Sequence, residues 1–457
     1  MKPRLLSLLS TSGIGLMLLA ACGGGAAPSA APASSAAAPK PASSAPAASV
    51  AASKPAAAAS ASAKPAASAS AKPAASGAAG AALAPGAMVT IGVELPMSGG
   101  EAANGVPTSN GVKLAVDQAN AKAGNKYKYQ AQILDDAVNG KHDPAQGAKN
   151  IQQFVSDKNV MGVVGPFNSN VAQAEIPLTN EAGLVQISPA NTNPDLTKPP
   201  KALDLRKAHP DQIAYFRVCT TDDIQGPAGA DYAFKNLSKK AVFIVDDNET
   251  YGKGLADAFE KRFTDDGGKI LGHEHLSSGQ QDFKSLLTKA KATNPDLLYY
   301  GGVTTTGGGL LRKQMKDVGM QQITYMGGDG IQESEFLTEA ADTAAGSWAT
   351  VAAPIAEKLP EAQDFIKAYN AKYTDPKDKL GAYSASGYDA ANIIIQGVEN
   401  AGADRAKVRA YVAGLKDFKG ALGTTGFDQN GDTTGKIISL WNVEGKAWAA
   451  KDQFTFK

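Results

Sequence analysis

Cysteine is almost missing from this sequence of 457 residues, which contains only Cys22 and Cys219. If Cys22 carries the modification that its surroundings indicate, Cys219 has no partner and a disulfide framework is excluded. The folded part must then be stabilised by buried apolar side chains. The 371 residues that follow Gly86 are about twice a typical domain, so we expect two lobes with separate cores.

Long hydrophobic runs are also missing. The apolar stretch Leu5–Leu19 is too short to span a bilayer and follows the cationic segment Met1–Arg4. It ends in Leu-Ala-Ala-Cys-Gly, which resembles the lipobox of bacterial lipoproteins. The resemblance implies a signal peptide over 1–21 and a diacylglycerol group on Cys22, with an ordinary secretory signal as the alternative. We therefore expect an extracytoplasmic protein anchored to the bacterial membrane through Cys22.

Aromatic and acidic residues do not occur between Gly24 and Gly86. This segment is almost entirely Ala, Ser, Pro and Gly, with lysine-proline pairs beginning at 40, 54, 64 and 72. Such a composition cannot offset the entropy of ordering, and the recurring proline interrupts any helix. We expect residues 22–86 to be a lipidated, disordered tether. Its four lysines are too widely spaced to bind lipid headgroups strongly.

Excess positive charge is missing from the remainder of the chain. Six of the 45 basic residues and none of the 44 acidic residues precede residue 87, so the rest of the chain has a net charge of −5. A net negative charge does not attract a phosphate backbone, which argues against nucleic-acid binding.

After Met88, short apolar runs alternate with amphipathic stretches, a pattern typical of strands and helices in turn. The predicted strands are 88–93, 129–134, 160–164, 185–187, 241–245, 269–273 and 297–300. The predicted helices are 110–119, 145–155, 171–182, 254–265 and 283–292. This alternation favours an α/β protein with parallel, doubly wound sheets, in which ligands bind outside the carboxyl ends of the strands.

The loops after these strands carry a recognisable series of residues. They include Gly165-Pro-Phe-Asn-Ser-Asn170, Ser188-Pro-Ala-Asn-Thr-Asn-Pro194, Asp246-Asp-Asn-Glu-Thr-Tyr-Gly-Lys-Gly254 and Tyr325-Met-Gly-Gly-Asp-Gly330. Over residues 88–452 the chain resembles the branched-chain amino acid binding proteins of ABC importers, the leucine/isoleucine/valine-binding family. That resemblance implies the type I periplasmic binding fold, with two doubly wound parallel-sheet lobes joined by three hinge crossings.

The resemblance also implies where the lobes divide. The crossings are expected near 217–222, 351–354 and 423–427. Lobe 1 would then contain 88–220 and 352–424, and lobe 2 would contain 221–351 and 425–457. Closure of the lobes around a small ligand would create the form that a membrane permease recognises.

An α-amino acid needs one site for its carboxylate and one for its ammonium group. The resemblance assigns the carboxylate to the hydroxyls of Ser169 and Thr192 and the amide of Ala190. A helix that opens beside Ser169 would add its dipole. Alternatively, Ser169 is only a helix cap and Thr192 only a turn residue.

The ammonium group is assigned to carboxylates in the same way. Asp329, in a glycine-flanked loop, and Asp222 match positions that take the ligand amine in relatives, whereas Asp223 is the expected bystander. Tyr251 matches an aromatic that covers the ligand from lobe 2. The alternatives are solvated loop acids and a tyrosine packed under its own loop.

Three residues are expected to line the pocket for the ligand side chain. Asn104 is expected in the loop after the first strand, and with Val303 it replaces an aromatic of many relatives, while Phe167 lies in the loop after residue 164. None of the three is charged, which favours a neutral amino acid. The cysteine pair of some relatives is replaced by Ala137 and Asn168.

Motifs for other chemistry are weak. His273-Glu-His275 would put two imidazoles on one strand face, but the sequence offers no evident third ligand, which favours a solvated strand end. Cys219 has no adjacent base. We therefore expect no enzyme activity, no metal site and no cofactor.

The expected partners are a small-molecule ligand and the permease of an ABC importer, with the protein itself a monomer. Two alternatives remain open within the same fold. One is a sensor that reports ligand to a signalling partner, and the other is a binder of amides, urea or aromatic acids.

Overall fold

The computed structural model of the chain describes residues 82–456. The expected signal peptide, Cys22 and nearly all of the expected tether lie outside the described residues. Within 82–456, no helix combines the length and the apolar character needed to cross a membrane.

Sixteen strands are present in the described residues, most of them short. In chain order they are β1 (Met88–Leu95), β2 (Lys128–Asp135), β3 (Ala137–Val138), β4 (Lys141–His142), β5 (Val160–Val164), β6 (Val185–Ser188), β7 (Tyr215–Arg217), β8 (Ala241–Asp246), β9 (Lys269–His275), β10 (Leu297–Gly301), β11 (Thr324–Gly327), β12 (Trp348–Val351), β13 (Phe418–Gly420), β14 (Gly423–Thr425), β15 (Lys436–Glu444) and β16 (Ala447–Phe456). The seven strands predicted from the sequence are confirmed as β1, β2, β5, β6, β8, β9 and β10.

Twelve α-helices are present in the same range. They are α1 (Ala102–Ala121), α2 (Pro144–Ser156), α3 (Ser169–Ala182), α4 (Lys201–Leu205), α5 (Asp222–Asp231), α6 (Thr250–Asp265), α7 (Lys284–Ala292), α8 (Gly308–Asp317), α9 (Ser334–Ala340), α10 (Gln363–Lys372), α11 (Ser384–Ala401) and α12 (Arg405–Ala413). The five predicted helices correspond to α1, α2, α3, α6 and α7.

Helix α1 differs most from its prediction, because it begins eight residues before Asn110. Asn104, expected in a loop, therefore lies in the first turn of the helix. Pro107 removes one backbone hydrogen bond inside α1, yet close packing against α11 stabilises the helix. A Cβ added at Gly111 would lie 2.1 Å from the carbonyl oxygen of Ser384, which shows how near the two backbones are.

The first sheet is parallel throughout and has the strand order β2-β1-β5-β6-β7. Its central strands are buried on both faces, as apolar parallel strands require. Helices cover the two faces at close range. A Cβ at Gly92 would meet Phe154 of α2, whereas one at Gly162, on the opposite face, would meet Ile394 of α11.

The second sheet has seven strands in the order β16-β15-β12-β11-β10-β8-β9. Strands β8 to β12 pair in parallel, but β15 is antiparallel to both β12 and β16. The prediction of parallel sheets therefore needs correction for the last two strands. They form a hairpin turned at Gly445, which has a φ of 63°, and so short a connection allows only antiparallel pairing.

Three segments connect the two sheets, and we call the parts around the first and second sheets lobe 1 and lobe 2. Residues 218–221 run from β7 to α5, which packs on α6 and β12 in lobe 2. Residues 352–362 run from β12 to α10, which packs on α1 in lobe 1. Residues 426–435 run from β14 to β15. The carboxyl ends of the parallel strands of both lobes thus lie on the side where the three segments connect the lobes.

The third segment stays in contact with lobe 1 over much of its length. Phe427 packs on Phe216 of β7 with the ring centroids 4.9 Å apart. The Asp432 carboxylate accepts a hydrogen bond of 2.7 Å from Nε of Arg217, which is fully buried. These contacts lie at and beyond the expected crossing at 423–427, and the chain joins the second sheet only at Lys436.

Candidate ligand-binding cleft

The loop after β6 is held in place by a buried arginine. The Arg217 guanidinium donates to the carbonyl oxygens of Asn191 at 3.1 Å and Asn193 at 2.7 Å. Thr192 lies between these two anchored residues and is 1 % exposed. Its hydroxyl has no hydrogen-bond partner among the described residues. The loop therefore presents a buried, unsatisfied hydroxyl at a fixed position.

Ser169 lies beside this loop as the first residue of α3. The position before it, which would cap the helix, is occupied by Asn168, so the cap alternative does not hold for Ser169. The Ser169 hydroxyl is buried and accepts a long hydrogen bond of 3.5 Å from the Asn193 amide. The start of α3 and two buried hydroxyls thus lie together, which is a favourable environment for an anion.

Ala190 is placed differently from its expected role. Its amide donates to the Ser188 hydroxyl of the same loop at 3.2 Å, and that hydroxyl in turn donates to the Pro166 carbonyl at 2.8 Å. The amide is therefore used to shape the loop, and a ligand contact would have to compete with this bond.

Asp222 and Asp329 are two buried carboxylates from different segments of lobe 2. Asp222 opens α5 and is 0 % exposed, and its carboxylate lies beside the Thr192 hydroxyl, but neither group completes a well-aligned hydrogen bond in residues 82–456. Burial and the negative charge of Asp329 raise the pKa of Asp222 well above its ordinary value. Asp223, the expected bystander, is partly exposed and pairs with Lys198 at 2.6 Å. The two buried acids thus form a site in which the charged form of Asp222 is strongly disfavoured unless a cation lies beside it.

Asp329 differs from Asp222 because its carboxylate is surrounded by donors. It accepts from Gln225 at 2.5 Å, from the Tyr251 hydroxyl at 2.8 Å and from the Tyr383 hydroxyl at 2.7 Å. Burial still raises the pKa of Asp329, although these three bonds oppose the rise. Tyr251 therefore touches the predicted ammonium site and is not packed under its own loop.

Gln225 and Tyr383 were not identified from the sequence. Gln225 follows Asp222 on the same helix, and the sequence alone does not indicate that its side chain lies beside Asp329. Tyr383 precedes α11 in lobe 1 and packs edge-on against Phe167, with the centroids 5.5 Å apart. No apolar strand precedes Tyr383, so the rule that locates ligands after strands could not find it.

The three residues expected to contact the ligand side chain lie together. Asn104, Phe167 and Val303 line one small cavity. The expectation that no charged residue lines it was wrong, because Glu101 and Glu333 also reach it. Both carboxylates have partners elsewhere: Glu101 bonds His142, and Glu333 accepts from the amide of Phe336 at 2.9 Å and so caps α9. The two carboxylates that reach the cavity are therefore already bonded to other groups of the protein.

The two lobes are in contact across the mouth of the cleft. Nδ1 of His142 lies 2.8 Å from Glu101 in lobe 1, and Nε2 lies 2.8 Å from Glu249 in lobe 2. Nearby, Thr305 donates to Glu101 at 2.6 Å and Asn170 donates to Glu249 at 3.0 Å. We call Glu101, His142 and Glu249 the latch. The structure is closed, and an imidazole between two carboxylates links the lobes.

The latch has a distinct electrostatic state. Burial alone would lower the pKa of His142, but Glu101 and Glu249 together raise it well above its ordinary value. Burial would raise the pKa of Glu101, but the neighbouring His142 lowers it. The closed form therefore favours a cationic imidazole between two anionic carboxylates.

Comparison with known proteins agrees with this geometry. Residues 88–444 match the family described as periplasmic binding protein. The chain is 34 % identical over 370 residues to the Leu/Ile/Val-binding protein BraC3 of Rhizobium johnstonii, covering 80 % of this chain and 94 % of that protein.

Solved structures with the same fold include two with related names. The leucine binding protein LivK of Thermotoga maritima matches with a TM-score of 0.70 and 27 % identity, over 80 % of this chain and 98 % of that one. The branched-chain amino acid binding protein LivJ of Streptococcus pneumoniae, in complex with isoleucine, matches with a TM-score of 0.70 and 26 % identity, over 81 % and 99 %. The likeness spans both lobes.

Proposed function

The chain belongs to the periplasmic binding protein family, and we propose that it captures a neutral α-amino acid for an ABC importer while anchored to the membrane through a lipid on Cys22. Ligand binding is coupled to closure of the two lobes. The permease then recognises the closed form.

The Asp222–Asp329 pair carries this proposal. Two buried carboxylates repel each other, and the neighbouring Thr192 hydroxyl, which lowers the pKa of Asp222, does not offset the rise that burial and Asp329 cause. Arg217, whose charge partly offsets that of Asp222, is itself paired with Asp432 at 2.7 Å. A buried charge without a partner costs several kcal/mol, roughly, so the pair is stabilised by a ligand that brings a cation with several N–H donors. An ammonium group meets that requirement.

Ser169 and the loop of Thr192 suit the carboxylate of the same ligand, and this loop adjoins the acids because the Thr192 carbonyl accepts a 2.8 Å hydrogen bond from the Asp222 amide. Ser169 and Thr192 supply two buried hydroxyls beside the N-terminus of α3. Helix N-termini stabilise anions through unpaired amides and the helix dipole. An α-amino acid carries its two charges a few bonds apart, which fits one anionic and one cationic subsite in the same cleft.

The cavity walls support a neutral side chain. Phe167 and Val303 are apolar and buried, and Asn104 is uncharged. The acids that reach the cavity are occupied by His142, Thr304 and the start of α9, so they do not require a cationic ligand side chain. The relatives named for leucine, isoleucine and valine make branched-chain amino acids the first candidates.

Calorimetry with matched ligands tests the proposal directly. The full chain is titrated with leucine, isoleucine, valine and alanine, and with 4-methyl-2-oxopentanoate, which keeps the carboxylate and side chain of leucine but lacks the ammonium group. Acetamide and benzoate represent the alternative ligand classes. We expect the keto acid to bind at least about 30-fold more weakly than its parent, since a buried, paired charge contributes roughly 2–5 kcal/mol. Equal affinity for both compounds, or binding only of acetamide or benzoate, contradicts the proposal.

A further inference from the structure

A second group of titratable side chains lies on lobe 2, outside the residues assigned to the cleft. His273 and His275 are two residues apart on β9, so both imidazoles project from one face of the strand. Strand β9 is the edge strand of the second sheet and pairs with β8. In that register Asp246, the last residue of β8, lies directly opposite His275. The fold thus supplies the third ligand that the sequence did not reveal.

The three side chains converge closely. Nε2 of His273 lies 2.7 Å from the Asp246 carboxylate, and Nδ1 of His275 lies 2.8 Å from the same group. One ligand atom from each of the three residues lies within 4.8 Å of the others. Tetrahedral ligands about 2.1 Å from a metal ion are separated by roughly 3.4 Å, so small side-chain rotations would admit an ion.

A fourth residue orients the more buried imidazole. Glu260 of α6 lies 2.5 Å from Nδ1 of His273, on the side of the ring away from Asp246. A carboxylate that holds the second nitrogen of a histidine fixes its orientation and increases its basicity as a ligand, a common arrangement in metal sites. Glu260 is therefore a positioning residue in this group.

The burial of the group suits an exchangeable ion. The Asp246 side chain is 0 % exposed, that of His273 is 14 % exposed and that of His275 is 46 % exposed. A buried carboxylate lies at the base, and a half-exposed imidazole lies at the entrance, where water could complete the coordination. Two imidazoles and one carboxylate are the ligand set of borderline divalent ions such as Zn²⁺, and not of Ca²⁺ or Mg²⁺, which require mostly oxygen ligands.

We propose that Asp246, His273 and His275 bind a divalent first-row transition metal ion, with Glu260 positioning His273. The ion would connect the carboxyl ends of β8 and β9, one residue before Asp247, where the loop to Tyr251 begins. None of these residues is assigned to the amino-acid subsites, so the metal-site proposal does not depend on the identity of the proposed ligand.

Zinc titration of the full chain, carried out without an affinity tag and without amino acids, tests the site. The chain has only four histidines, so each can be varied. We expect one Zn²⁺ per chain, and a loss of affinity of at least about 100-fold in the double variant His273→Gln/His275→Gln. His209→Gln is the matched control, since His209 is exposed in a loop and should leave zinc affinity unchanged.

Two further measurements separate coordination from a purely structural ion pair. Glu260→Gln should weaken zinc binding by about 10-fold or more while leaving the thermal midpoint of the metal-free chain within about 2 °C of the parent. Pulsed paramagnetic resonance of the Cu²⁺-loaded chain should detect two imidazole nitrogens. Absence of stoichiometric binding, retention of affinity in the double variant, or equal losses in the His209 control overturns the proposal.

Discussion

Asp222 and Asp329 are close in space but differ in what surrounds them. Asp329 accepts hydrogen bonds from Gln225, Tyr251 and Tyr383, whereas Asp222 accepts none in the described part of the chain. Burial raises the pKa of both. Asp222 is thus the residue at which ligand-free stability and ligand affinity conflict most directly, as is common in binding sites.

Asp222→Asn should separate these two quantities. Removal of a buried, repelled charge should raise the thermal midpoint of the ligand-free chain, while affinity for the amino acid should fall at least about 100-fold. Because the pKa of Asp222 is raised in the fold, its contribution to the free energy of unfolding is largest at low pH and falls as pH rises above the ordinary aspartate value. The variant should lose this contribution to the pH dependence of stability. Calorimetry and circular dichroism at several pH values measure both effects.

Asp223→Asn is the control for that substitution. Its carboxylate is half exposed and paired with Lys198, so both stability and affinity should change little. If the two variants weaken ligand binding equally, Asp222 has no special role at the ammonium site.

Tyr383→Phe tests the residue that the sequence did not reveal. The change keeps the ring against Phe167 and removes only the hydroxyl that donates to Asp329 at 2.7 Å. A hydrogen bond to a charged group contributes about 1.5–3 kcal/mol, so ligand affinity should fall about 10- to 100-fold. Tyr388→Phe in α11, which removes a hydroxyl bonded to Gln118 of α1, should not alter affinity in the same calorimetric titration. An unchanged affinity in Tyr383→Phe would contradict the assigned role.

At the scale of elements, the latch joins the short strand β4 to the start of α6. His142 is the last residue of β4, and Glu249 immediately precedes α6. Asp136 and Asp247 also lie near enough to interact with the charge of His142. Every titratable neighbour named here is acidic, so a protonated His142 is the counter-charge that closure requires.

The latch predicts a pH dependence with a definite sign. Glu101 and His142 both belong to lobe 1, so only the share of the raised His142 pKa that Glu249 causes stabilises the closed form, and that share is lost as pH rises through the raised value. In the same way, the share of the lowered Glu101 pKa that the Thr305 hydroxyl of lobe 2 causes stabilises closure, and it disappears only in acid, below the ordinary glutamate range. Amino-acid affinity should therefore have a plateau between these limits and decline on the alkaline side.

His142→Gln should lower amino-acid affinity on the plateau. It should also remove the part of the alkaline decline in affinity that comes from deprotonation of His142. Affinities of the wild type and the variant are measured by calorimetry at a series of pH values. Their ratio is compared, because titration of the ligand amine affects both affinities equally and does not change the ratio. His209→Gln should follow the wild type at every pH. A constant ratio across the alkaline range would rule out the latch.

The sequence allowed prediction of those elements whose pattern is local. Strands such as β5, a fully apolar run of five residues, follow directly from burial on both faces of a parallel sheet. The early start of α1 could not be predicted, because packing against α11, more than 250 residues later, compensates for Pro107. The hairpin of β15 and β16 has a local turn at Gly445 that the sequence prediction did not use, whereas the pairing of β15 with β12 depends on residues distant in sequence. Tyr383 and the third member of the metal-site group likewise depend on contacts that form only in the fold.

At the scale of the whole molecule, closure completes two sites at once. Tyr383 of lobe 1 reaches Asp329 of lobe 2, and His142 of lobe 1 reaches Glu249 of lobe 2. Both contacts exist only when the lobes are closed, so a ligand that binds the closed form more tightly shifts the equilibrium towards it. A ligand at the buried acids thereby favours the same state that the latch favours.

The proposed lipid anchor at Cys22 would keep the two-lobed body at the membrane. Residues from 87 onward carry a net charge of −5, which gives the body no attraction for an anionic membrane surface. Cys22→Ser should therefore move the protein from the membrane fraction to the soluble fraction, because each buried lipid CH₂ contributes roughly 0.8 kcal/mol to anchoring. Cys219→Ser should leave the distribution unchanged, since Cys219 is buried and its pKa is raised by burial. Mass spectrometry should find the acyl mass on the wild type and the Cys219 variant only, and an unaltered membrane fraction for Cys22→Ser would refute lipid anchoring at that residue.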